Sequence, residues 1–82
     1  MSDPQGETRW IGVKSSVLAA ARYHKTERWL DLRFREGPTY RYLGVPVDIF
    51  DGLIAASSKG AFFARYIRDH YLFVVPEQGA KR

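Results

Sequence analysis

Apolar and polar residues alternate most clearly between positions 28 and 43. Over 29–35, Leu30, Leu32 and Phe34 fall on one side, with Trp29, Asp31, Arg33 and Arg35 on the other, the period-two pattern of a half-buried strand. Alternation resumes over 39–43, where Tyr40 and Tyr42 share a side, and Glu36-Gly37-Pro38 predicts a turn between the two runs. Pro38 selects the turn. A two-residue turn at Glu36-Gly37 would oppose Arg35 to Pro38, which has no N–H for the closing pair. A three-residue loop of Arg35, Glu36 and Gly37 avoids that demand and assigns Gly37 to a left-handed bulge position. Phe34 then faces Pro38, Leu32 faces Tyr40, Leu30 faces Tyr42, and Asp31 lies opposite Arg41. A slip of one residue would turn every side chain over. In this register both tyrosines join the leucines on the core face.

Upstream, residues 10–13 form a short apolar stretch closed by Lys14-Ser15-Ser16, and residues 17–23 read as a further strand, although Leu-Ala-Ala-Ala also suits a helix. Downstream, Gly44-Val45-Pro46 ends the β run, and Pro46 fits the first turn of a helix. In that helix Val45, Ile49, Leu53 and Ala56 recur at helical spacing, Phe50 and Ile54 widen the stripe, and Asp48 complements the dipole near the start. Ser57 or Ser58 caps a second helix that runs to about His70. Phe63, Tyr66 and Ile67 line its inner face with Phe62 at the margin, while Arg65 and Arg68 share the outer one. Residues 72–75 predict a short last strand, for which 10–13 is the expected partner. The pattern therefore predicts one α+β domain over 10–75, an antiparallel sheet of three or more strands with two helices packed on one face. The core draws on Leu30, Leu32, Phe34, Tyr40, Tyr42, Ile49, Leu53, Phe63 and Ile67. Polar segments 1–9 and 76–82 are expected to be flexible ends.

Composition adds limits. With 82 residues there is room for a single domain, and the 15% aromatic share supplies large rings to a small core. Without cysteine, neither a disulfide nor a thiolate metal site is available, and the two histidines, His24 and His70, sit in no metal-ligand spacing. Ser15 and Ser16 have no visible base partner, so no catalytic residue, metal or cofactor is expected and the chain reads as a non-enzyme. Residues 1–7 lack an apolar signal stretch, and no run is long enough to cross a membrane, so a cytoplasmic protein without membrane contact is expected. The formal charge is +4. Ten basic against six acidic residues leave the same +4 within 10–75, so the surplus belongs to the folded body. That is compatible with a nucleic-acid partner and also ordinary for a small soluble domain.

Ser15-Ser16, Leu18, Tyr23, Leu30, Phe34, Gly37, Tyr40-Arg41-Tyr42, Val45-Pro46, Ala56, Ser58, Gly60, Phe63, Ile67-Arg68 and Tyr71 occur in one ordered series. This series resembles the KTSC domain, named for its occurrence at the carboxyl end of some lysyl-tRNA synthetases and otherwise mostly a small stand-alone bacterial protein. The likeness covers about residues 13–72. It implies a compact α+β fold, and through the synthetase association it suggests RNA binding. Arg22 stands where a small residue is usual, and Glu36 where asparagine is usual.

Three groups of residues could carry binding. Tyr40 and Tyr42 could stack on bases as sheet aromatics do, although the turn points them into the core. Arg33, Arg35 and Arg41 project from the opposite sheet face toward phosphates, with an Asp31–Arg41 cross-strand ion pair as the plain alternative. Lys59 and Gly60 beside Ser57-Ser58 could hold a phosphate at a helix start, extended by Arg65 and Arg68, or simply form a capped helix with a packing glycine. The first functional expectation is thus an RNA-binding module using Arg33, Arg41, Lys59, Gly60, Arg65 and Arg68. The alternative is a protein-interaction module, homodimeric through a strand edge or using an apolar patch around Trp10, Trp29 and Phe73.

Overall fold

The computed structural model describes residues 9–76. Its elements are β1 (Ile11–Gly12), β2 (Leu18–His24), β3 (Trp29–Phe34), β4 (Thr39–Tyr42), α1 (Val47–Ala55), α2 (Lys59–Tyr66) and β5 (Phe73–Val74). They form a five-stranded antiparallel sheet in the order β1-β2-β3-β4-β5, with both helices on one face. Apart from Arg9 and Pro76, the expected flexible ends lie outside the described residues.

The central hairpin has the register that Pro38 dictates: Leu30 pairs with Tyr42, Asp31 with Arg41, Leu32 with Tyr40 and Arg33 with Thr39. The left-handed glycine does not follow. Pairing between these strands stops at Arg33–Thr39, leaving residues 34–38 as a wider connection in which no residue needs a positive φ. Among the described residues, the left-handed ones are Arg28 (φ 62°) and Gly44 (φ 70°). A Cβ on Gly37 meets nothing within 4 Å. Gly37→Val is accordingly expected to shift the melting temperature by no more than about 3 °C, within the usual range for surface substitutions. A thermal melt checks this, and a drop beyond roughly 8 °C would restore the strained-turn reading.

A bulge sets the phase of β2. Leu18 pairs with Phe34 and Ala20 with Arg33, so Ala19 is the extra residue. An odd spacing separates Leu18 from Tyr23, and without the bulge they would point to opposite faces. With it, Leu18, Ala21 and Tyr23 all enter the core, while Arg22 and His24 turn to the other face. Ser15 tightens the preceding turn, its Oγ accepting from the N–H groups of Val17 at 3.0 Å and Leu18 at 3.1 Å. This short connection lays β1 against β2, with Ile11 opposite Ala21. The expected β1–β5 pairing is therefore absent. A meander has two free edges, β1 occupies one, and the chain returning from the helices takes the other beside β4.

Pro46 stands one residue before α1, as its N-cap, where the missing N–H costs no hydrogen bond. Leu53 is the fully buried residue of this helix, and Val45 just before it is buried too. Ser58 caps α2, its Oγ accepting from Ala61 N–H at 3.2 Å. The second helix stops at Tyr66 instead of near His70: Ile67 closes it and residues 67–70 form turns that aim the chain at β4. Tyr66 consequently lies exposed against Phe62, outside the core. The buried cluster comprises Leu18, Ala21, Tyr23, Leu30, Leu32, Tyr42, Val45, Leu53, Phe63 and Ile67, and Phe34, Tyr40 and Ile49 pack partly buried around it.

Candidate functional site

Strand alternation leaves the side of the sheet away from the helices lined by Arg22 and His24 from β2, Trp29, Asp31 and Arg33 from β3, and Arg41 from β4. Asp31 is fully buried at its centre and receives three partners. Arg22 Nε donates to Asp31 Oδ2 at 2.9 Å, and His24 Nε2 lies 2.9 Å from the same oxygen. Arg41 grips both oxygens, Nε to Oδ1 at 2.9 Å and one terminal nitrogen to Oδ2 at 3.0 Å. Burial alone would raise the Asp31 pKa. Hydrogen bonds from Arg41, His24 and Arg22, together with the charge of Arg41, override it and hold the carboxyl below the ordinary aspartate range.

Two indoles complete the cover. The Arg22 and Arg33 guanidiniums lie 4.3 and 4.4 Å from the Trp10 ring centroid. Arg41 lies 4.2 Å from that of Trp29, which also takes an edge contact from His24 at 5.4 Å. Cation–π geometry and Asp31 together fix guanidiniums on three neighbouring strands, on side chains that stay part-exposed, 28% for Arg22 and 19% for Arg41. Among the described residues, three guanidiniums against one carboxylate give this face a local surplus of two positive charges.

The other expected residues are elsewhere. Tyr40 and Tyr42 are on the helix-covered side, where Tyr42 meets Phe63 and Phe73, and Tyr40 meets Phe34 and Phe73. Burial, with a smaller contribution from Tyr40, pushes the Tyr42 phenol up to about 12, as expected of a core hydroxyl. Burial also raises Tyr23, whose hydroxyl donates to Val45 O. Lys59 Nζ donates to Ala56 O at 2.6 Å, and a Cβ at Gly60 would stand 3.2 Å from a Val17 methyl. Lys59 and Ser58 are thus engaged with local backbone groups and Gly60 with packing. Arg65 and Arg68 are exposed in the helix layer. The sheet brings Arg33 and Arg41 together; Lys59, Gly60, Arg65 and Arg68 lie on the far side of it. The expected apolar patch is likewise divided, since Trp10 and Trp29 lie half-buried on the open face while Phe73 contacts Tyr40 and Tyr42 on the helix side. Arg35 is tied to Ser15 O through Nε at 2.6 Å.

Trp10, Arg22 and His24 were not part of the expected binding group. The β2–β3 register that sets His24 opposite Trp29 and Arg22 opposite Asp31 would have pointed to the last two. Among the described residues there is no group of three His, Asp or Glu side chains suited to a metal, and no helix is long and apolar enough to cross a membrane.

Comparison with known proteins adds a family. The KTSC domain matches residues 14–71. A protein of Tsukamurella paurometabola is 42% identical over 59 residues, 72% of this chain and 88% of that one. A lysine–tRNA ligase of Nostoc is 33% identical over 60 residues, 73% of this chain but 11% of the ligase. The crystal structure of a KTSC domain protein from Yersinia pestis superposes with a TM-score of 0.81 at 35% identity, covering 83% of this chain and 96% of that one.

Proposed function

The chain belongs to the KTSC domain family, and from that premise we propose that it is a non-catalytic RNA-binding domain whose contact surface is the open face of the sheet. The observation that carries this reading is the fixed layer of Arg22, Arg33 and Arg41 around a single buried carboxylate, interleaved with Trp10 and Trp29. Guanidiniums held in place by stacking lose little side-chain entropy on meeting phosphates, and their surplus charge attracts a polyanion. Similarity to a segment of a lysine–tRNA ligase, a protein whose substrate is an RNA, supports the same class of ligand.

Charge reversal on the two sides of the sheet separates this surface from the helix layer. Arg33 is exposed and has no carboxylate partner among the described residues, so Arg33→Glu gives up its contact with Trp10 but breaks no ion pair, and the variant is expected to stay folded. It is expected to weaken RNA binding by roughly tenfold or more in fluorescence anisotropy at low salt, while Arg65→Glu changes it by less than about threefold. The opposite ranking would move the interface to the helices.

A second reading has its own observation. On the β5 edge, Leu72, Phe73 and Val74 are 79%, 49% and 46% exposed, an uncharged run that supports pairing with another protein strand. Sedimentation of the protein alone across a concentration series tests for self-association at that edge.

A further inference from the structure

We infer that the open face takes double-stranded RNA, through its phosphates, in preference to unpaired bases. The inference rests on the reading of that face as the RNA contact surface and adds the class of RNA.

Recognition of single strands needs aromatic faces on which extruded bases can stack. The tyrosines of β4 cannot serve, because they face the helices. The two indoles on the open face are already engaged twice each, Trp10 by Arg22 and Arg33, Trp29 by Arg41 and His24. Both are half-buried. A base that displaced a guanidinium from either indole would break a cation–π contact, and at Arg22 or Arg41 it would also disturb a hydrogen bond to fully buried Asp31. The rings act as braces for the cations.

What the face presents outward is a set of positioned charges on three adjacent strands. Such a surface suits a rigid array of phosphates, and duplex RNA is recognised mainly by its shape, its phosphates and its 2′-hydroxyls. A flexible single strand would have to be ordered on the surface without stacking energy to offset the lost entropy.

The experiment compares one RNA duplex of about 16 base pairs with each of its separated strands, labelled identically and read by fluorescence anisotropy, using the wild-type protein and Arg33→Glu. The duplex is expected to bind at least about tenfold more tightly than either strand at low salt and to lose affinity about 12-fold between roughly 50 and 200 mM salt, as engagement of two phosphates by the two surplus charges implies. Arg33→Glu should shrink both the affinity and the salt slope, the slope by about one unit. A strand that binds as tightly as the duplex and still responds to Arg33→Glu would overturn the duplex preference while leaving the face as the contact surface. Absence of binding to duplex and strands alike, or binding indifferent to Arg33→Glu, would overturn the surface assignment itself and this inference with it.

Discussion

Replacing Asp31 with alanine is expected to destabilise the domain by about 3 kcal/mol, the lower end of what removing one partner of a buried ion pair costs. The lower end applies because Arg22 and Arg41 are part-exposed and can recover some hydration once the carboxylate is gone. In a domain of this size such a loss lowers the melting temperature by roughly 12–24 °C. The same site gives a pH signature. The Asp31 carboxyl lies below its ordinary value in the folded protein, so the unfolded chain binds the proton more readily. Its contribution is therefore complete above the ordinary aspartate value, near pH 4, and is lost as pH falls from there through the lowered folded value. Melts of wild type and Asp31→Asn between pH 6 and pH 2 are expected to converge on acidification. A constant gap would assign the cost of substitution to packing instead of charge.

Leu53→Ala is expected to have a comparable effect for a different reason. Leu53 is the fully buried residue of α1 and ties that helix to the cluster over the sheet. Removing a buried leucine forfeits the transfer free energy and leaves a cavity, about 3 kcal/mol together, and the slightly better helix propensity of alanine recovers only tenths of that. Against a total stability on the order of 4–12 kcal/mol for a chain of this length, both substitutions remove a large share. Chemical denaturation at neutral pH checks this one, and a loss below about 1 kcal/mol would mean that α1 is held by something other than Leu53. The two variants should differ in acid: Leu53→Ala keeps the pH dependence of the wild type, whereas Asp31→Asn loses the Asp31 part of it.

The fold was legible where a local constraint had a single solution. Pro38 lacks an N–H, and that was enough to choose the register that puts Tyr40 and Tyr42 opposite Leu32 and Leu30. Helical spacing from Val45 to Ala56 located α1, and the serine pair located the cap of α2. The conformation of Gly37 was not legible, because its assignment required pairing to continue up to the turn, and pairing stops earlier. The partner of β5 was a nonlocal choice between two sheet edges, which apolar content cannot make.

The site shows the same division. Alternation assigned Asp31, Arg33 and Arg41 to one face and set Asp31 opposite Arg41. It gave no reason to expect Asp31 to be buried, since a charged residue at a polar position is ordinarily solvated. The burial of Asp31 comes from a cover that alternation cannot reveal: arginine stems lying across the sheet, with Trp10 arriving from the segment before β1. Lys59, Arg65 and Arg68 drew attention as basic residues, and Gly60 as a glycine beside them at a helix start, but charge in a sequence does not say on which side of a sheet a helix will lie.

An amide-shift NMR titration of the intact protein with duplex RNA, at low and then physiological salt, asks directly whether the open face of the sheet is the contact surface. Shifts confined to the backbone amides of Trp10, Arg22, Trp29, Arg33 and Arg41 and their strand neighbours, fading as salt rises, are the predicted result. Shifts centred on residues 59–68, or an unchanged spectrum at high RNA concentration, would contradict it.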